Sequence, residues 1–188
     1  MIEAFSMMGS AEADRFMLGK EHPALRTHVA SLIGSRRVFD LGCGKGFMVK
    51  DLYTVDQYFG IDVSAELIRI AMTNNPGYKF HQQNLASGPI TVDSGSVEVA
   101  LMISVMEHLP DLETAQYVYS EATRISKELL IVWHTPPIYE STDLIEVQAE
   151  LDRPLSQNHY ARGSFDREDL DVRVGLVAGF ECWRVTHR

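Results

Sequence analysis

Val38-Phe39-Asp40-Leu41-Gly42-Cys43-Gly44-Lys45-Gly46 is the stretch that decides the fold. Val38, Phe39 and Leu41 read as a buried strand. Gly42, Gly44 and Gly46 then supply a turn whose backbone angles and close approaches a Cβ would block. An open α/β sheet brings a nucleotide-like ligand up to its first strand-to-helix turn in this way. The spacing is G-x-G-x-G, and Phe47 stands where the dinucleotide fingerprint G-x-G-x-x-G needs its third glycine. Asp40, two residues before the first glycine, would repel a phosphate there and attract an ammonium or a sulfonium. Asp62 follows about 20 residues on, where an acidic side chain can take both hydroxyls of a ribose. The ligand implied has a ribose and a cationic end but no phosphate.

Three segments carry a family resemblance. Asp40-Leu41-Gly42-Cys43-Gly44-Lys45-Gly46, Gly60-Ile61-Asp62-Val63-Ser64 and Val105-Met106-Glu107-His108-Leu109-Pro110 resemble successive motifs of class I S-adenosylmethionine-dependent methyltransferases. Their order and spacing match, and the resemblance runs from about residue 30 to about residue 180. It implies S-adenosyl-L-methionine as cofactor and S-adenosyl-L-homocysteine as product. It also implies a Rossmann-like, doubly wound α/β fold with a mostly parallel sheet. The cofactor contacts implied fall on Asp40, Gly42, Cys43, Gly44, Asp62, Val63, Asn84, Leu85 and Ser104. Asn84 departs from the family pattern, which usually has an acidic residue holding the adenine amino group at this slot; an amide oxygen can accept the same hydrogen bond.

Composition fits one domain spanning residues 1–188. No run approaches the ~20 apolar residues that cross a bilayer, and Met1–Ser10 lacks a basic start and a sustained apolar run. Neither a membrane nor a signal peptide is expected. Cys43 and Cys182 are the only cysteines, so a disulfide is not expected and a reducing cytoplasm is the default compartment. The formal charge of −9 disfavours a nucleic-acid partner. A homodimer is compatible with the sequence.

Strands and helices alternate along the chain. A helix is expected at His22–Ile33, strand 1 at Arg37–Leu41, a helix at Lys45–Tyr53 and strand 2 at Tyr58–Asp62. Ser64 is a good N-cap for a helix burying Leu67, Ile68 and Ala71, which Asn74-Asn75-Pro76-Gly77 stops. Strand 3 falls near Tyr78–Gln82, strand 4 at Val97–Ile103 and strand 5 at Leu129–Trp133. Leu112, Ala115, Val118, Ala122 and Ile125 recur at helical spacing between the last two. Residues 1–33, above all Phe5–Met17, and the insertion Ile138–Arg162 after strand 5 are expected to form the lid and substrate segment. Phe165–Val177 reads as the last helix and Gly179–Val185 as strand 6. The resembled family adds a seventh, antiparallel strand between strands 5 and 6, for which the chain leaves no room. The expected order is therefore 3-2-1-4-5-6, in a trimmed fold, a shortened chain or one completed by a partner.

His108 after strand 4 and His134 after strand 5 are the candidate general bases, because imidazole titrates near neutral pH. Trp133-His134-Thr135-Pro136-Pro137 resembles the substrate-side loop of small-molecule methyltransferases. His, Cys and Asp/Glu do not occur at metal-ligand spacing, so no metal site is expected. The function expected is methyl transfer to a small-molecule acceptor, with an O or N nucleophile favoured over C. The alternative is a non-catalytic S-adenosylmethionine-binding partner subunit. A nicotinamide oxidoreductase is disfavoured by Asp40.

Overall fold

The computed structural model describes residues 23–49, 53–134, 170–177 and 180–186. Among these, helix α1 (Pro23–Ile33) precedes β1 (Val38–Leu41) and β2 (Tyr58–Asp62). Helix α2 (Ala65–Asn74) and β3 (Lys79–Gln82) follow, then β4 (Val97–Ile103) and a 3₁₀ turn at Met106–His108. Helix α3 (Leu112–Ile125) runs directly into β5 (Ser126–His134), and β6 (Leu170–Val177) and β7 (Phe180–Thr186) close the series.

These elements follow from local chemistry. The Ser64 side chain accepts from Leu67 N at 3.3 Å and caps α2, whose buried stripe is Leu67, Ile68 and Ala71. Asn75 ends the helix by turning both its backbone N–H and its side-chain amide onto Ala71 O, each at 3.0 Å, and Pro76 bars continuation. Strand β4 is apolar apart from Glu98 and is buried on both faces, as a central parallel strand should be. Val99, Leu101 and Ile103 join the core on the side of α1 and α2, while Ala100 and Met102 join the core on the side of α3. Leu25, Val29 and Ile33 of α1 are fully buried in the first of these layers. Residues 1–22 and 138–162, expected as lid and insertion, lie outside the described residues.

Among the described residues the sheet has seven strands in the order β3-β2-β1-β4-β5-β7-β6. Strands β1 to β5 pair in parallel. The other pairings, β5 with β7 and β7 with β6, are antiparallel, so β6 runs parallel to β5. The parallel strands thus keep the expected order 3-2-1-4-5-6. The expectation that the seventh strand is missing is corrected, because β7 occupies the slot between β5 and β6. Residues 170–177, read as helix, form β6, and the segment read as strand 6 is β7. Leu170-Asp171-Val172-Arg173-Val174 alternates apolar and charged residues at the period of a strand, and this outweighs any helical tendency. At the far end of the sheet from the glycine turn, Glu128 pairs with Arg36 through two contacts of 3.0 Å and with Arg184 at 3.3 Å. This ties α1's end and β7 to the start of β5.

The helix expected at Lys45–Tyr53 is not seen in its described part. Residues 44–49 are turns, with Val49 N donating to Gly46 O at 3.3 Å. Gly46 has φ +73°, outside the right-handed helical region, so regular α-helix cannot run through it.

Candidate functional site

Because β1 to β5 are parallel, their carboxyl ends share one edge, and the residues just beyond them converge there. Leu41 leads into the glycine turn, Asp62 ends β2, Asn84 follows β3, Ser104 follows β4 and His134 ends β5. The turn is built on backbone angles that favour glycine: φ is +83° at Gly42, +56° at Gly44 and +73° at Gly46. Gly42 N and Cys43 N both donate to Ile61 O, at 2.8 and 2.9 Å. A Cβ on Gly42 would stand 2.5 Å from Val105 Cγ2. Val105 follows Ser104, whose φ of +48° is a left-handed angle rare for a residue with a side chain. Ser104 is buried, and its N–H donates to Val132 O at 2.9 Å, tying the end of β4 to β5. Strained backbone of this kind concentrates at functional sites.

Asp62 is the junction of the site. Its Oδ2 accepts from Gly44 N and its Oδ1 from Ser64 N, both at 2.9 Å. The carboxylate therefore clasps the glycine turn on one side and the entry to α2 on the other. A helix amino terminus favours a negative charge beside it. A carboxylate offers about four acceptor positions, so two remain after these bonds. Val63, next along, is half-buried, and its carbonyl accepts from Gln82 Nε2 at 3.1 Å.

Asn84 is half-buried at the end of β3. Its side-chain oxygen accepts from Ala86 N at 2.9 Å, closing an Asx turn, and its backbone carbonyl accepts from Ser87. The amide N–H₂ and one oxygen lone pair are left for a ligand. Leu85 is buried in the core layer beneath. Cys43 is buried too, with its side chain packed against Gly60. Both thus reach the site's edge through the backbone.

Asp40 does not stand at the rim. It is 2% exposed, beneath the glycine turn, and accepts from the Tyr58 hydroxyl at 2.5 Å. Burial, and then the charge on Asp40, push the Tyr58 phenol well above its usual pKa, and the same causes in the same order raise Tyr53. The sequence reading places Tyr58 only at the start of strand 2 and assigns it no part in the site. The available signal was a phenol at the head of a strand that pairs with the strand bearing Asp40.

The two candidate bases lie at the same edge. His108 is half-buried on the 3₁₀ turn after β4, and its backbone N donates to Val105 O at 3.0 Å. His134 is the last residue of β5, in register with Phe180 of β7. Ile103 pairs with Val132, so the ends of β4 and β5 are adjacent.

The family model described as "Methyltransferase domain" matches residues 38–128. A ubiquinone biosynthesis O-methyltransferase of Cupriavidus pinatubonensis is 29% identical over 90 residues. That match takes in 46% of this chain and 36% of the relative, so the chain spans little more than a third of that relative's length. Among solved structures, an S-adenosylmethionine-dependent methyltransferase from Thermotoga maritima superposes with a TM-score of 0.72 at 16% identity, covering 100% of both chains. Magnesium protoporphyrin IX methyltransferase from Synechocystis PCC 6803, solved with S-adenosylhomocysteine bound, gives 0.67 at 16% identity, covering 100% of this chain and 91% of the other. At such identities the two structures establish the fold.

Proposed function

We propose, from the methyltransferase-domain match of residues 38–128 and the geometry of the site, that the chain is a class I S-adenosylmethionine-dependent methyltransferase acting on an O or N atom of a small-molecule acceptor. One observation carries the cofactor reading. The Asp62 carboxylate is fixed at the carboxyl edge of the sheet by two backbone N–H groups and retains two acceptor positions, the number a ribose diol needs. Gly42 and Gly44 would lie against the cofactor through their backbone, Val63 and Leu85 would flank the adenine, and the Asn84 amide would face its edge. Ser104 would stand beside the amino-acid end.

When bound, S-adenosylmethionine supplies the electrophilic methyl group and a thioether leaving group. The chain's residues position the acceptor, exclude water and, for a hydroxyl or ammonium, remove a proton. His134 and His108 sit beyond adjacent strand ends and are the groups proposed for that proton, with His134 favoured because it directly ends β5. A relative named for ubiquinone biosynthesis and a fold neighbour named for magnesium protoporphyrin IX are in keeping with a small-molecule acceptor. The net charge of −9 speaks against a nucleic-acid acceptor. The alternative of a non-catalytic partner subunit drew on a missing seventh strand and on Asn84 in the slot of an acidic residue; β7 removes the first of these.

Titration calorimetry with S-adenosylmethionine, S-adenosylhomocysteine and NAD tests the reading. Binding of the first two and not of NAD is expected, and binding of NAD alone would overturn it. Mass spectrometry of ligand carried through purification then identifies the acceptor.

A further inference from the structure

Asp40 poses a physical problem that the cofactor site alone does not solve. A carboxylate with 2% exposure is costly unless its charge is met by hydrogen bonds. The Tyr58 hydroxyl meets it at 2.5 Å, the short end of the range for a hydroxyl on an anionic oxygen. The register explains how. Tyr58 pairs with Val38, and Asp40 pairs with Gly60. The phenol must therefore lean two residues along the sheet, about 7 Å, to reach Asp40. Gly60, on the same face, presents no side chain in its way, and the space a Cβ would fill there is held by Cys43. Rings of Tyr53 and Phe80, with centroids 6.0 and 5.8 Å away, enclose the Tyr58 ring and leave it little freedom.

We infer that Tyr58 is a positioning residue: it holds the Asp40 carboxylate ionised and fixed beneath the glycine turn, so that its charge favours the cationic cofactor. The inference rests on the cofactor reading above. Removing the hydroxyl takes one short hydrogen bond from a buried charge. The carboxyl then takes up a proton more readily, or shifts its position, and its field at the turn weakens.

The test is a double-mutant cycle on S-adenosylmethionine affinity. Tyr58→Phe should weaken binding roughly threefold to thirtyfold, within the range of coupling between residues in contact. Asp40→Asn should weaken it at least as much, and the double variant should be no worse than Asp40→Asn alone. Tyr53→Phe is the control, since it removes a neighbouring buried hydroxyl that has no hydrogen-bond partner. It should stay within about twofold of the parent. Losses that simply add make Tyr58 a packing residue and overturn the inference while the cofactor reading stands. A parent protein that binds neither S-adenosylmethionine nor S-adenosylhomocysteine removes the cofactor reading, and the inference with it. Should a variant fail to fold, proton NMR of the unaltered protein decides the matter. A slowly exchanging, downfield Tyr58 hydroxyl proton that shifts on adding cofactor is expected, and its absence overturns the inference.

Discussion

Replacing Asp62 by Ala should damage the protein twice, once in stability and once in cofactor affinity. In the folded chain the carboxylate holds Gly44 N and Ser64 N, each at 2.9 Å. Hydrogen bonds to a charged group contribute ~1.5–3 kcal/mol each, so the pair is worth ~3–6 kcal/mol at most. Asp62 sits at the edge of the sheet, and water entering the vacated space recovers part of this, leaving a loss of ~2–4 kcal/mol. For a domain of this size each kcal/mol moves Tm by ~2–4 °C, which gives a drop of roughly 5–15 °C by scanning calorimetry. Affinity should fall separately. Two ribose hydroxyls on the remaining acceptor positions are worth another ~3–6 kcal/mol, or ~10²–10⁴-fold in Kd by titration calorimetry. Asp62→Asn is the informative comparison. It keeps one acceptor oxygen but turns an amide N–H₂ toward one of the two backbone donors, so it should lose stability as well. A variant Asp62→Ala that melts within ~1 °C of the parent and binds within about twofold would refute both roles. A lowered Tm with unchanged affinity would refute the ribose role alone.

Gly60→Ala should destabilise the sheet. Its Cβ would stand 2.9 Å from both Cβ and Sγ of Cys43 and 3.1 Å from Phe80, and overpacking of this kind costs ~1–3 kcal/mol, readable as a lowered denaturation midpoint. Glu121 accepts from Arg124 and from Ile90 N, and the Arg124 guanidinium leads in holding its carboxyl below the ordinary 4.5. A depressed carboxyl contributes stability that is present above its unfolded pKa and lost as pH falls through the folded one. Glu121→Gln should therefore lower Tm by a few degrees, about 2–4 °C, at pH 7, and the gap from the parent should close as pH drops below 4.5. With an acceptor identified, His134→Ala should slow methyl transfer by ~10²–10⁴ while leaving cofactor affinity nearly intact. If His134→Ala and His108→Ala each turn over within about fivefold of the parent, positioning alone accounts for the chemistry.

Much of the sheet's parallel half was legible because its strands are apolar runs ended by turn residues. Tyr58–Asp62 and Val97–Ile103 have the bounds read from sequence, and Ser64 caps α2 as its hydroxyl and position imply. The carboxyl-terminal strands were not legible in the same way. The segment 170–177 has the alternation of a strand, but reading it together with Phe165–Asp169 obscured the change of period. The site was legible as a set of residues and much less so as a set of bonds. Spacing placed Asp62 at a ribose position but could not show that it also clasps Gly44. Spacing likewise put the Asp40 charge just before the glycine turn, but could not show that it is buried and accepts from a tyrosine on the neighbouring strand. Cross-strand partners depend on register, which a single sequence does not display.

During synthesis, β7 leaves the ribosome after the other described strands, yet its place in the sheet lies inside β6. The parallel set β3-β2-β1-β4-β5 is complete once residue 134 has been made. From then until residue 186 emerges, the outer edge of β5 presents backbone N–H and C=O groups whose partner strand in the finished sheet, β7, has not yet been made. An exposed apolar edge invites pairing with other chains. Strands β6 and β7 are close in sequence and pair antiparallel, so they can form locally and dock as a hairpin, with β7 sealing that edge in a single step. The nascent protein is thus most vulnerable to aggregation in the interval between β5 and that docking. A carboxyl-terminal truncation that removed the hairpin would make this vulnerability permanent.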